Sequence, residues 1–378
     1  MSSPLNTYGS LSRIRKCVSP YYPRHILLVT GRGSFEACGA KAILDTELDD
    51  YQVTRFYDFE INPKLEDAVH GAKLAIESEI DLILAVGGGS PMDIAKLIKA
   101  FMPDVENSEK IAKGNIAVTP SSIPLITVPT TAGSGSEATH FAVVYIGKDK
   151  YSLASPDLSP QAYILDGQLL RSASPYQRAV NGLDAMAQAL EGAWAVNSTK
   201  ESRRRSYKAL ALLVKSLPTM VKSDTPSYLQ NVLLAAHLAG QVINTTKTTA
   251  AHAFSYAFSS YHDVPHGHAV WMTLPAIFSK HLTAEDSAIQ DPRGAAHVRT
   301  VLAKLSKILD IPSADQCENN LKQFMAQIGV EPDMIKMGAN TPKQRKFLSQ
   351  QVNAERLGNN PVHLTPEDIA NIFQYRFD

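Results

Sequence analysis

Three short apolar runs, each stopped by glycine or proline, constrain the fold of this chain more than any other feature. His25–Thr30 (HILLVT) runs into Gly31-Arg32-Gly33-Ser34, Asp81–Val86 (DLILAV) into Gly87-Gly88-Gly89-Ser90, and Leu125–Val128 into Pro129. Short runs rich in aliphatic and β-branched residues read as strands buried on both faces. Between them the pattern turns helical: after the first turn through Leu48, over Lys64–Glu79, and again beyond Ser90, where Pro91 falls near a helix start and is tolerated. Tyr51–Phe59 alternates as a further strand, and Tyr163–Asp166 reads as the last. Strands alternating with helices predict a parallel sheet covered on both faces. Ligands of such sheets bind beyond the carboxyl ends of the strands, where both glycine-rich turns fall.

After about Leu170 the strand signals nearly vanish. Arg178–Val196, Ser202–Val221, Ser227–Ile243 and Ala250–Ser260 read as helices, with more from Leu274 onward, while Thr341–Pro366 gives no clear element. The expectation is an α/β domain over residues 1–168 and an all-helical domain over 169–378. With 378 residues and 44% hydrophobic content, the chain can build two ordinary cores. Lys plus Arg and Asp plus Glu each number 37, which argues against nucleic acid or an acidic membrane surface as partner. No stretch approaches the roughly 20 apolar residues of a membrane span. Three scattered cysteines, Cys17, Cys38 and Cys317, read as reduced thiols of a cytoplasmic protein. The first sixteen residues lack an acid and carry Arg13, Arg15 and Lys16, which leaves a transit peptide open.

The run Gly87-Gly88-Gly89-Ser90 can cradle a pyrophosphate, because glycine admits the oxygens close to the backbone and the following helix offers free N–H groups. A tight turn without ligand is the plain alternative, although three glycines exceed what a turn needs. Pro129–Ser136 (PTTAGSGS) could wrap a ribose or be a flexible loop. Gly31-Arg32-Gly33-Ser34 offers no acid for ribose hydroxyls, and Arg32 and Ser34 could hold a 2′-phosphate, which favours NADPH over NADH. Arg32 can also be a solvated turn residue.

In the second half, Asp184 and Gln188 stand four apart and share one helix face. His252, His262, His266 and His268 follow close together. Two imidazoles and a carboxylate make a divalent-metal site with room for a substrate oxygen. Any single helical histidine is more often a core or surface residue, and the choice of His252 and His266 rests mainly on the resemblance below. His262 and His268 read as outer or surface groups, with His268 near enough in sequence to face a substrate. Lys247 could meet an anionic substrate or be an ordinary surface lysine. Arg203-Arg204-Arg205 reads as a solvated helix face.

The strings GGGSPMDIAK (87–96), PTTAGSGSE (129–137), DAMAQALE (184–191) and His252 to His266 ending in Pro265-His266-Gly267 together resemble the iron-containing (group III) alcohol dehydrogenase family, over nearly the whole chain. The resemblance implies the dehydroquinate synthase-like fold, with a dinucleotide domain, a helical domain and a cleft between them. It also implies reversible hydride transfer between NAD(P)H and a small aldehyde or ketone, and a homodimer. Position by position it implies metal ligands at Asp184, Gln188, His252 and His266, and cofactor contacts at Gly88, Gly89, Ser90, Asp93, Thr130, Thr131, Ser134 and Lys150. His266, His252, Lys247 and His268 become the candidate catalytic set, with His268 or Tyr256 as possible proton sources.

Two positions depart from the family pattern. Gln188 stands where the family usually has His, and Tyr256 where a further His often follows the first ligand. Gln offers only a neutral oxygen, so the site could hold Fe²⁺ or Zn²⁺ weakly. The variant strings NGLDAMAQALEG, KTTAAHAFSY and PHGHA look like a subgroup of phosphonoacetaldehyde reductases, which act in phosphonate biosynthesis. A small anionic aldehyde would suit Lys247 and His268. Another aldehyde such as succinic semialdehyde, a non-redox dehydroquinate synthase-like enzyme, and a binding protein with a decayed metal site are the competing expectations.

Overall fold

A computed structural model describes residues 5–352 and 354–376. The chain divides into two compact units, one ending at Ala173 and one beginning at Ser174.

The first unit is built on eight strands: β1 (Leu5–Tyr8), β2 (His25–Thr30), β3 (Gln52–Phe56), β4 (Leu82–Gly87), β5 (Leu125–Pro129), β6 (Phe141–Ile146), β7 (Asp149–Ala154) and β8 (Ala162–Leu165). Six form one sheet in the order β1-β8-β5-β4-β2-β3, with every pairing parallel. The apolar runs sit where their composition directs them. Every residue of β2, β4, β5 and β8 is buried. Alternate side chains feed opposite cores. Leu27 and Val29 pack with the helices Leu65–Glu77 and Gly89–Phe101, while Ile26 and Leu28 pack with Leu11, Ile14 and Cys17.

The order of the strands fixes the ligand edge. The chain passes from β2 outward to β3, then returns to place β4 on the other side of β2. That reversal is the topological switch point, where open parallel sheets bind ligands. Thr30 pairs with Val86 and Gly87 with Pro129. The three turns that follow β2, β4 and β5 therefore leave one edge side by side.

Near the start of the described chain, β1 pairs with β8, and Leu11, Ile14, Cys17 and Val18 are fully buried. Two features differ from expectation. The strand expected over Tyr51–Phe59 covers only Gln52–Phe56, an edge strand whose first residues are exposed. Residues 141–154, which gave no strand signal, form the antiparallel hairpin β6–β7, turning at Gly147 with φ +61°.

The second unit is helical among the described residues, apart from the isolated antiparallel bridge Ile289–Val362. Its centre is the helix Pro175–Trp194, opened by a Ser174–Gln177 capping box. Lys200–Lys222 and Pro226–Thr246 pack against it. Gly192 admits Val242: an added Cβ there would lie 2.1 Å from Val242 Cγ1. No described helix is long and apolar enough to cross a membrane.

Lys96 was overlooked in the sequence and ties the first unit together. Its ammonium is fully buried and donates to Ser136 O (2.6 Å), Ser136 Oγ (3.0 Å), Thr139 Oγ1 (3.0 Å) and Phe141 O (3.0 Å). Burial lowers its pKa to about 8 against the pull of Asp93 and Glu137. Lys96→Met leaves several buried acceptors without a donor. Denaturant unfolding should show a loss of about 3 kcal/mol or more, and a loss below about 1 kcal/mol would contradict this role.

Candidate active site

In the first unit, the GGGS turn meets the TTAGSGSE loop in close contact. A Cβ on Gly88 would lie 3.2 Å from the Thr131 side chain, and one on Gly89 3.3 Å from Ser134 Oγ. A side chain at either glycine would be tight against its neighbour, so glycine eases this close approach, and Gly88, Gly89 and Ser90 remain partly open. Thr130 N donates to Gly87 O at 2.8 Å, extending the ladder between the two turns. The helix Gly89–Phe101 begins with free N–H groups at this point. The cradle fits a pyrophosphate.

Other expected contacts divide between ligand edge and scaffold. Asp93 accepts from Ser136 Oγ (2.8 Å) and Val143 N (3.2 Å), so its carboxylate braces the loop and the hairpin. Burial raises its pKa, opposed chiefly by Lys96. Lys150 lies exposed on β7, close enough to Asp93 to act on its charge. The Ser90 hydroxyl donates to Ile61 O. Gly31, Arg32, Gly33 and Ser34 are partly or fully exposed, and Arg32 pairs with Asp58 at 2.6 Å. Arg55, not anticipated, pins that turn from β3, donating to Thr30 Oγ1 (2.8 Å), Gly31 O (3.0 Å) and Arg32 O (2.9 Å).

In the second unit, helix geometry places Asp184 and Gln188 on one buried face, 6% and 4% exposed. His252 stands near the start of the helix Ala250–His262 and His266 at the start of His266–Trp271. Glycine brings that second helix into position. A Cβ on Gly267 would lie 1.9 Å from Val180 O and 3.0 Å from Asp184 Cβ, so no other residue lets His266 come so near Asp184. Trp271 Nε1 donates to Leu183 O at 2.7 Å and fastens the same contact.

Asp184 Oδ1 lies 3.4 Å from His252 Nε2 and 3.8 Å from His266 Nε2. One donor atom from each of the three residues falls within 4.8 Å of the others. Donors about 2.0–2.2 Å from a common ion have such separations. Asp184 Oδ1 and His252 Nε2 are also buried without a hydrogen-bond partner. Buried polar atoms are rarely left so, and an ion bonded to both would satisfy them. The residues fit a divalent metal, with Gln188 one helical turn from Asp184.

Glu191, quoted only as the end of a motif, holds the arrangement. It is fully buried and accepts from Thr249 Oγ1 (2.9 Å), Ala251 N (2.8 Å) and His252 N (3.4 Å), and it bonds His252 Nδ1. That bond leaves His252 Nε2 as the atom facing Asp184, the arrangement in which an outer carboxylate orients a metal-binding imidazole. Burial disfavours the charged His252, but Glu191 and Asp184 outweigh it and raise its pKa to about 9.

His268 does not join this group. It is buried, with Nδ1 against the Tyr176 hydroxyl (2.8 Å) and Nε2 against Glu331 O (2.7 Å). Both ring nitrogens are committed to packing, which removes it from the catalytic set. His262 instead packs against Gly338, whose backbone lies at φ +99°. Tyr256 stacks on His266 with ring centroids 6.4 Å apart, and Arg356 stands 5.9 Å over the Tyr256 ring. Lys247 lies in the link between the two helices, with φ +57°.

The first half of the chain, residues 5–167, matches the iron-containing alcohol dehydrogenase family, and residues 178–377 match that family's C-terminal domain. A phosphonoacetaldehyde reductase of Streptomyces viridochromogenes is 31% identical over 306 residues, covering 78% of this chain and 76% of that one. A probable alcohol dehydrogenase of Salmonella typhimurium is 31% identical over 316 residues, covering 82% and 76%. Among solved structures, a sulfoacetaldehyde reductase from Bifidobacterium kashiwanohense in complex with NAD⁺ superposes with a TM-score of 0.87 at 23% identity, over 99% of this chain and 97% of that one.

The paired carboxylates make metal uptake depend on pH. Metal binds neutral imidazole, so below about pH 9 it must displace the His252 proton. Without metal, the imidazolium's stabilising contribution is complete below the ordinary pKa of 6.5 and is lost as pH rises through about 9. Zn²⁺ affinity should thus rise by up to about tenfold per pH unit in that window, while the stability of the metal-free protein falls. Calorimetric titration with Zn²⁺ in buffers of different pH checks the affinity, thermal unfolding of the metal-free protein checks the stability, and a flat affinity would contradict the protonated pair. The chain belongs to the iron-containing alcohol dehydrogenase family and is an NAD(P)-dependent enzyme of that family.

Proposed function

We propose that this enzyme reduces a small anionic aldehyde to its primary alcohol, phosphonoacetaldehyde to 2-hydroxyethylphosphonate being the favoured reaction. The observation that carries the chemistry is the clustering of Asp184, His252 and His266 donor atoms within 4.8 Å. The choice of substrate is supported by the 31% identity to the Streptomyces phosphonoacetaldehyde reductase over most of both chains. When bound, a divalent metal, Fe²⁺ or Zn²⁺, supplies Lewis acidity for the carbonyl oxygen and the reduced nicotinamide supplies the hydride.

The chain's own residues hold and orient these parts. Asp184, His252 and His266, with Gln188 as a weaker oxygen donor, fix the metal. Glu191 sets the His252 tautomer. Gly88, Gly89 and Ser90, with Thr130, Thr131 and Ser134, receive the cofactor's phosphates and ribose. Arg32 and Ser34 suit a 2′-phosphate, so the cofactor is NADPH in preference to NADH, with Arg32 exchanging Asp58 for the phosphate. Tyr256 lies beside His266 and is the phenol available to the alkoxide. Burial raises its pKa, which keeps it a proton donor.

The direct test is the initial rate of NADPH oxidation by metal-replete protein with phosphonoacetaldehyde, sulfoacetaldehyde, succinic semialdehyde and propanal. The phosphonate should give the highest kcat/KM, and NADPH should outperform NADH. His266→Ala should lower kcat/KM by about a hundredfold or more, the usual effect of losing a main stabiliser of developing charge. A drop under about tenfold would remove His266 from the chemistry. Gln188→His adds a stronger donor and should tighten Zn²⁺ binding by about tenfold or more, read by chelator competition. Unchanged affinity would place residue 188 outside the metal's reach.

A further inference from the structure

The loop after β3 is a fourth segment at the ligand edge, and it touches two of the turns there. Phe56, the last residue of β3, pairs with Val29, and Thr30 of β2 pairs with Val86. The Gly31–Ser34 turn therefore leaves the sheet between the Gly87–Ser90 turn and the loop 57–63, each about one strand spacing away, ~4.8 Å. Within that loop the Ile61 carbonyl accepts from the Ser90 hydroxyl, and Asp58 Oδ1 accepts from Arg32 Nη2 at 2.6 Å. A loop that bonds the pyrophosphate turn at one point and the ribose turn at another is placed to act on a dinucleotide.

The backbone of the Gly31–Ser34 turn is held far more firmly than its arginine side chain. Arg55 holds the backbone: besides its bonds to Thr30 Oγ1, Gly31 O and Arg32 O, its guanidinium lies 4.7 Å from the centre of the Phe35 ring and 4.6 Å from that of Tyr57. Its Nη1 stands 3.7 Å from Glu36. Arg32 and Asp58, by contrast, stand in water, with side chains 65% and 74% exposed. An ion pair this exposed is worth little, so either partner can leave it for a stronger one. Asp58 takes one N–H group of Arg32. A phosphate dianion can take two and carries twice the charge. Arg32, Arg55, Glu36 and Asp58 bring two charges of each sign, so the attraction of this group for an anion depends on which carboxylate gives way. Asp58 is the one paired with the exposed guanidinium.

We propose that Asp58 sets the cofactor preference by competing with the 2′-phosphate of NADPH for the Arg32 guanidinium. With NADH the Arg32–Asp58 pair stays closed, and the turn presents no net charge to the ribose hydroxyls. With NADPH the guanidinium moves to the phosphate, and the freed Asp58 carboxylate opposes the new anion. The preference for NADPH is therefore smaller than Arg32 alone would give, and both cofactors are used. The assignment rests on the NADPH reading above, and its test separates the two.

Affinities for NADPH and NADH are read in the absence of aldehyde, from nicotinamide fluorescence titrated with metal-replete protein. Asp58→Asn removes the competitor and should tighten NADPH binding about tenfold while changing NADH by less than about threefold. Arg32→Gln should weaken NADPH by about tenfold or more. In the Arg32→Gln background the gain from Asp58→Asn should shrink to about threefold or less, because no guanidinium remains to be released. An undiminished gain in that background would make Asp58 a plain repulsive charge and overturn the exchange. Both single variants should melt with wild type, since the pair is exposed; a lower melting temperature in Arg32→Gln together with weakened binding of both cofactors would make the pair part of the scaffold and overturn the proposal. Arg32→Gln that weakens NADPH, beside Asp58→Asn that leaves it unchanged, overturns the proposal and keeps the NADPH reading. Wild type that binds NADH more tightly, with Asp58→Asn still tightening NADPH through Arg32, overturns that reading and keeps the competition.

Discussion

The carboxylate of Glu191 is the interaction on which the second unit depends. It is fully buried, and a buried carboxylate must be satisfied or become neutral. Here it accepts from the Thr249 hydroxyl and the Ala251 and His252 amides, which are among the first N–H groups of the helix Ala250–His262. One side chain thus closes a helix start, fixes an imidazole and keeps its own charge: its pKa is lowered despite burial, chiefly by His252. Trp194, one turn further along, donates to the same Thr249 hydroxyl at 3.0 Å. The two helices are therefore joined by a polar network with the ligand imidazole inside it. Packing of apolar side chains could hold the helices together, but it would not set the direction of His252 Nε2.

Close backbone approach does the complementary work on the other side of Asp184. Gly267 lets the helix His266–Trp271 sit on Val180 and Asp184 at a distance no side chain allows. A milder form of the same device recurs where Gly88 and Gly89 meet the side chains of Thr131 and Ser134, which a Cβ would approach at 3.2 and 3.3 Å. In both places glycine is used for proximity, not for an unusual φ. Proximity gives a phosphate access to backbone N–H groups in one unit and draws His266 toward a carboxylate in the other.

The fold was legible in the chain because burial on both faces leaves a strong signal: HILLVT and DLILAV have no polar face to confuse the period. The hairpin at residues 141–154 left none, since β7 is largely exposed and carries Asp149, Lys150 and Ser152. β1 is too short to stand out and is a strand only by virtue of β8, more than 150 residues away. In the site, Asp184, Gln188, His252 and His266 were marked by spacing and family motifs. Glu191 ended one of those strings but its role was not marked, because it acts on Thr249 and His252, distant in sequence, which only the fold supplies. His268 shows the reverse. Its place in the string made it a candidate, yet Tyr176 and Glu331 take both of its nitrogens.

The departures at residues 188 and 256 bear on each other. Replacing imidazole by an amide oxygen leaves the charge of the ligand set unchanged, because both donors are neutral. What changes is donation: an amide oxygen gives less electron density to a transition metal than imidazole does. An ion held by Asp184, His252 and His266 with Gln188 would be bound less firmly, and for the same reason would pull harder on a carbonyl oxygen. Tyr256 in place of a further imidazole withdraws another possible donor and leaves a ring lying between His266 and Arg356. Both changes take a stronger donor away from the metal's own shell, and under the function proposed above that leaves more of the binding to be made with the substrate's charged end. An enzyme whose substrate carries a permanent charge can use that charge for binding, and then needs less from the metal than one that must capture a neutral aldehyde by its carbonyl alone.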